Sequence, residues 1–287
     1  MKDIIESHRQ KFSFKSFLNW CAFIVLLFAR SYSFAQAISV SPSRLFFTGN
    51  AGQELTQQVT ITNTGNASVT FRASTMDWDR DSIGEKHYYP AGTQRLSNAG
   101  WVEVLPNVIE IEQGGRKQVN VLLHVPNSET GKQVKNSMLF LTQINEQKPA
   151  QISGISANIG VVVKLEFGIH VYYTPLGSNH KELEFLAVDN KGTVIVNNEK
   201  VRRVAIKIKS LSNAITDGFI NFELTNKTTG EEFKPAAKSI SMLPGDEQII
   251  YLDMPTSLTG NYLLVALLDG GPETTLKIAK KEISFIN

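Results

Sequence analysis

Three acidic residues at alternate positions, Asp77, Asp79 and Asp81 in "DWDRDSIGE", have the spacing that opens a calcium-binding loop. The rest of such a loop is missing. Its sixth position needs a glycine for a sharp turn and holds Ser82; its twelfth needs a bidentate glutamate and holds Tyr88. The stretch therefore reads as a surface turn, with its acids facing water and Trp78 packed inward. The histidines form no hydrolytic constellation either. Beyond residue 37 they are His87, His124, His170 and His180, and none accompanies a G-x-S-x-G elbow or an H-E-x-x-H pair. No enzymatic activity, bound metal or cofactor is expected.

Two residues are suited to binding instead. Arg44 in "SPSRLFF" stands on what should be a first strand. An arginine there is either a solvated charge that discourages edge pairing or an anion-recognition group, since a guanidinium holds a carboxylate bidentately. His170 lies far along the chain in "GVVVKLEFGIHVYYTP". It is either a surface histidine on the outer face of a strand or a pH-dependent donor to a bound carboxylate.

The element carrying His170 is unusual. Val161, Val163, Leu165, Phe167, Ile169 and Val171 alternate with Val162, Lys164, Glu166, Gly168, His170 and Tyr172. Period-two alternation predicts one strand with an apolar face and a more polar one. At 160–175 it would run to roughly twice a typical strand of about 5–6 residues. Polar "NEQKPAQISGISAN", 145–158, reads as a mobile loop before it.

From Ile38 onward the rest also reads as short strands and turns, as in "QQVTITNTGNASVTFRAS", "VAIKIKS" and "NYLLVALL", without a sustained helical period. The predicted fold class is all-β, two tandem immunoglobulin-like β-sandwiches. An internal echo supports the tandem. Pro126, Ser128 and Gly131 follow one alternating strand in P-x-S-x-x-G spacing; Pro255, Ser257 and Gly260 follow another about 130 residues later. Short "TPLGSNH", 174–180, places the expected boundary, giving domains at 38–175 and 176–287.

Residues 1–37 read as a cleaved export signal: basic Lys2, Arg9, Lys11 and Lys15, an apolar run from Phe17 to Ala29, and Ala35-Gln36-Ala37 as a cleavage site, with Ser33-Phe34-Ala35 as a second one. Cleavage removes five basic and two acidic residues, leaving 24 and 25, a net charge of −1. That balance gives no field for nucleic acid. The only cysteine, Cys21, leaves with the signal, so no disulfide is expected. No later run is apolar and long enough for a membrane span.

"ISVSPSRLFF", "IEIEQGGRKQVNVLLHVP" and the terminal "VVVKLEFGIHVYYTP" together resemble the first domain of PapD-like periplasmic chaperones of pilus assembly. The resemblance covers most of 38–175 and, more loosely, 176–287. It implies a periplasmic protein that caps β-rich pilin-like subunits by donating the last strand of its first domain, with an outer-membrane usher as a further partner. The matching donor positions are Val161, Val163 and Leu165. Three such side chains would contribute roughly 5–9 kcal/mol before association costs. The resemblance also implies two basic residues that anchor a subunit's terminal carboxylate. Arg44 falls on the first, and His170 stands where the family has a lysine. The other reading of the chain is a structural or adhesive envelope protein sharing the fold.

Overall fold

The computed structural model describes residues 38–145 and 164–285. Among them there is no α-helix. The expected export signal, the loop at 145–158 beyond Asn145, and Val161 and Val163 lie outside the described residues.

Ten strands build the first sandwich: β1 (Ile38–Ser41), β2 (Arg44–Gly49), β3 (Glu54–Asn63), β4 (Val69–Arg80), β5 (Lys86–Tyr89), β6 (Val102–Leu105), β7 (Val108–Ile111), β8 (Arg116–His124), β9 (Lys135–Gln143) and β10 (Glu166–Pro175). One sheet runs β1-β3-β8-β6; the other runs β2-β10-β9-β4, with β5 and β7 both pairing β4. The period of two shapes both. In β3, Val59, Ile61 and Asn63 turn inward while Thr60 and Thr62 lie nearer the surface. Leu45, Phe71, Leu123, Leu139, Ile169 and Val171 meet in the core between the sheets.

Eight more strands build the second sandwich: β11 (Leu183–Val196), β12 (Glu199–Ser210), β13 (Thr216–Asn226), β14 (Glu232–Phe233), β15 (Lys238–Met242), β16 (Glu247–Pro255), β17 (Gly260–Asp269) and β18 (Lys277–Phe285). Its sheets run β11-β12-β16 and β14-β13-β17-β18, with β15 also on β13. Ile206, Phe222, Leu252 and Leu264 centre a separate core. Asn197 and Asn198 join β11 to β12 with φ of 48° and 65°, the left-handed pair that a two-residue hairpin needs.

The sequence echo marks the same corner twice. Residues 126–131 connect β8 to β9, and residues 255–260 connect β16 to β17. In the first corner a Cβ on Gly131 would sit 2.2 Å from the Pro126 carbonyl oxygen, so only glycine fits. The Tyr173 hydroxyl then donates to the Gly131 carbonyl at 2.7 Å, tying this corner to β10.

Strand β9 departs from one-sided alternation, since both of its faces are covered. Leu139 and Leu141 enter the main core. Met138 and Phe140 enter a second cluster on the outer face, with Trp78, Tyr172 and Leu243 of the second sandwich. The surface turn expected at 77–85 also needs correcting. Asp77 is fully buried, not facing water. Its carboxylate accepts from the Thr93 and Gln94 amides at 2.7 and 2.8 Å and from the Ser97 hydroxyl at 2.5 Å. It serves as the hydrogen-bonding post of the chain at 93–97, which satisfies its charge away from solvent. Trp78 is buried, at 2% exposure, but in the outer-face cluster with Leu243 and not in the core between the sheets.

Replacing Ile169 by alanine should cost about 2–5 kcal/mol in urea unfolding, because the side chain is fully enclosed by both sheets. A loss below about 1 kcal/mol would contradict its place in the core.

Candidate functional site

Strand β10 is paired on both edges over only part of its length. Against β9 it runs antiparallel from Glu166↔Thr142 to Tyr173↔Lys135. Against β2 it runs parallel, and that pairing begins at His170↔Arg44. Two bonds set the phase. The Gln143 amide donates to the Leu165 carbonyl at 2.8 Å, and the His170 amide donates to the Ser43 carbonyl at 3.0 Å. Backbone groups alternate in direction along a strand, so Leu165, Phe167 and Ile169 bond toward β9. Glu166 and Gly168 aim their N–H and C=O at the other side, where no described strand pairs them. Below His170, β10 has an open edge among the described residues.

The side chains bordering this edge are apolar on the core side. Phe167 meets Phe71 edge to face at 5.8 Å. Leu165, one of the expected donor positions, is half-buried against the first core. Gly168 follows Phe167 on the opposite face; a Cβ there would come within 3.2 Å of the Met138 sulfur.

Where the open edge ends, charges gather. The β2–β10 register sets Arg44 directly beside His170, on the same outer face. Strand β4 and its hairpin partner β5 bring Arg80 and Lys86, which are opposite one another. Lys86 Nζ lies 2.9 Å from His170 Nε2. An ammonium can only donate, so Nε2 accepts, and the proton of the neutral ring sits on Nδ1. Nδ1 then donates to the Tyr172 hydroxyl at 3.2 Å. His170 stacks on Tyr172 and meets the Trp78 ring edge to face at 4.7 Å. Arg80 and Lys86 lie over the same indole, 5.1 and 5.7 Å from its centre.

This corrects the expected surface position of His170, which is only 7% exposed. The outer face of its sheet is covered by Trp78 and by Leu243 and Ile215 of the second sandwich. Burial, followed by the charges of Lys86, Arg80 and Arg44, lowers the imidazole from 6.5 to about 3. It is a neutral acceptor that holds a lysine. Burial and the neighbouring arginines Arg80 and Arg44 also lower the Lys86 ammonium below its ordinary value.

The second sandwich closes the site from the other side. Arg44 Nη1 donates to both carboxylate oxygens of Asp217 on β13, at 3.1 and 3.0 Å. Arg80 donates to the Ser241 carbonyl, and the Ile249 amide reaches the Ser82 carbonyl at 2.6 Å. A cleft of about 690 Å³ opens there, walled by Arg44, Arg80, Ile83, Asp217, Phe219 and Asp269. Arg44 and His170 are thus brought together, with Leu165 further up the same strand. Sequence reading missed Lys86, Arg80 and Asp217. Asp217 is 173 residues from Arg44 and carries no local signal. Among the described residues, no group of three or more His, Cys, Asp or Glu side chains could hold a metal ion. No helix among them is long and apolar enough to cross a membrane.

No family model matches the chain, and no curated protein matches it. Solved pilus chaperones are similar to it in structure. The CsuC–CsuE chaperone–tip adhesion subunit complex of the archaic chaperone–usher Csu pili of Acinetobacter baumannii shares 12% identity, covering 88% of this chain and 100% of that one, at a TM-score of 0.46. The SafB chaperone complex with SafA pilin of Salmonella enterica shares 12%, covering 86% and 97%, at 0.45. The E. coli chaperone DraB shares 12%, covering 84% and 96%, at 0.44.

The buried imidazole makes stability depend on pH with a definite sign. Its value is about 3 in the folded state against 6.5 when free, so between these pH values the unfolded chain binds the extra proton. The contribution is present in full above about pH 6.5 and is lost as pH falls toward about 3. Urea midpoints measured across that window should fall less steeply for His170→Gln than for the wild type. Parallel slopes would contradict a buried neutral His170.

Proposed function

We propose that this protein is an exported, periplasmic chaperone that caps β-rich, pilin-like subunits by adding β10 to them as a donor strand. The observation that supports this most is the one-sided pairing of β10 at Glu166–Ile169. An unpaired strand edge is a template for a partner strand, and soluble proteins usually blunt or cover one. Among the described residues it is left open beside apolar side chains, the combination that strand addition uses: main-chain bonds for affinity and alternate side chains for pockets. Val161, Val163 and Leu165 are the proposed side-chain donors. Burying each would contribute about 1.5–3 kcal/mol, reduced by the cost of association.

Arg44 would hold the far end of the client. It is exposed enough to be reached, yet it stands one strand from the donor edge. A subunit strand running along β10 toward His170 would bring its terminal carboxylate to the guanidinium. The export signal at 1–37 would deliver the chaperone to the compartment where such subunits fold, and an outer-membrane usher would receive the loaded complex.

Glu166→Pro tests the donor edge. It removes one N–H that faces the open side and sits at the first residue of the strand, where proline is tolerated. Tagged wild type recovered from its native envelope should carry a secreted β-rich subunit identifiable by mass spectrometry. The variant should lose it, with unchanged circular dichroism and melting temperature. The same partners on both proteins, or no β-rich subunit on either, would contradict the proposal and favour a structural envelope module.

A further inference from the structure

Strand β17 lacks the alternation that its place in the sheet calls for. It is a central strand, with β13 on one side and β18 on the other. One face of such an antiparallel sheet covers the core and the other meets water, so apolar and polar residues should alternate along it. Tyr262, Leu264, Ala266 and Leu268 do face the core. The residues between them, Leu263, Val265 and Leu267, are apolar too, and they lie on the outer face. The registers set Ile278 of β18 beside Leu267, and Phe219 of β13 opposite Asp269 at the next outward-facing row. Phe219 and Ile278 are 56% and 55% exposed. None of these five side chains joins any of the three apolar clusters. Among the described residues the stripe is an apolar face without a cover, the kind of patch that marks an interface.

The charges beside the stripe indicate what covers it. One row across β17 reads Glu223, Val265, Lys280, negative on β13 and positive on β18. Glu223 meets Lys234 at 3.3 Å in an exposed, weak contact. Lys280 has no ion-pair partner among the described residues. We propose that this face binds a second copy of the chain, about a two-fold axis that runs along β17. That rotation lays β13 of each copy over β18 of the other. Val265 and Leu267 then meet their own equivalents, and Phe219 lies diagonally beside Ile278 of the other copy. Glu223 stands over Lys280 twice, once in each direction. Stacked sheets lie about 10 Å apart, a gap that a glutamate and a lysine span together. An axis across the strands would instead set Glu223 over Glu223 and Lys280 over Lys280, which like-charge repulsion disfavours. Strands β15, β13, β17 and β18 make the face roughly 20 Å by 30 Å, at about 4.8 Å per strand and about 3.3 Å per residue. About 600 Å² per copy is at the lower end of specific interfaces, so the dimer should be weak, with a Kd on the order of micromolar. Strand β10 takes no part in this contact, so the inference stands apart from the donor-strand reading.

The test is sedimentation equilibrium on protein recovered from its native envelope and freed of partners, at about 1 to 500 µM, a range that brackets a weak interface. The wild type should pass from monomer to dimer across it. Lys280→Glu should weaken the dimer about tenfold, because it sets acid over acid at both contacts. Adding Glu223→Lys should restore the dimer, since the row is then reversed and again complementary. Leu267→Lys should abolish it with the melting temperature unchanged, because that side chain lies outside the core. Should Leu267→Lys also melt lower, the charge reversal and its rescue decide alone. Dimerisation indifferent to Lys280→Glu, or a double variant no tighter than Lys280→Glu, overturns the proposed face and axis. Glu166→Pro should dimerise as the wild type does; loss of the dimer there would put the contact on the β10 edge and overturn the proposal. A wild type that stays monomeric throughout overturns it as well, including the case where the envelope yields a different protein that Leu267→Lys no longer holds.

Discussion

The parallel pairing of β2 with β10 is the constraint on which the rest of this molecule depends. Its first rung, His170↔Arg44, does two things at once. Among the described residues it leaves the preceding part of β10 without a neighbour on that side, the open edge. It also sets a guanidinium on the outer face next to an imidazole. Shifting the register by one residue would turn Leu45 and Phe47 out of the core and Arg44 into it. The apolar core therefore constrains the arrangement of charges: burying Leu45 and Phe47 keeps Arg44 on the outer face, where the observed register sets it beside His170.

The outer face of this sheet would ordinarily meet water. Here Trp78, Met138, Phe140 and Tyr172 cover it together with Leu243 from the second sandwich. Burial of that face is what makes His170 neutral, and a neutral ring can accept a hydrogen bond from a lysine instead of repelling it. Three cations gathered near one carboxylate would be unfavourable in isolation. The indole face under Arg80 and Lys86, the Ser241 carbonyl and Asp217 each offset part of that repulsion. What remains is positive charge near the end of an unpaired strand edge.

Much of the fold was legible in the sequence because burial on a strand has a period of two. The alternation in 165–173 correctly separates Ile169, Val171 and Tyr173 from His170 and Tyr172. The pair of P-x-S-x-x-G corners likewise lies at equivalent connections in the two sandwiches. Alternation says which residues share a face, not what covers that face. That is why His170 reads as a surface residue although the second sandwich and Trp78 bury it. Asp77 was misread for the same reason: an acid followed by turn residues looks solvated until the amides of Thr93 and Gln94 are folded onto it. Lys86 and Asp217 were invisible because their meaning is relational. One lies 84 and the other 173 residues from its partner, and neither sits in a motif.

The central claim is that β10 is open on one side below His170, and native-state amide exchange measures this without any client. Backbone amides that bond to β9 should exchange slowly, and those aimed at the open side quickly. The account predicts slow exchange at Phe167 and Ile169 with fast exchange at Gly168 between them, and slow exchange again at His170, whose amide is bonded to Ser43. If Gly168 is as protected as its two neighbours, the edge is covered in the free protein and the donor-strand account is wrong.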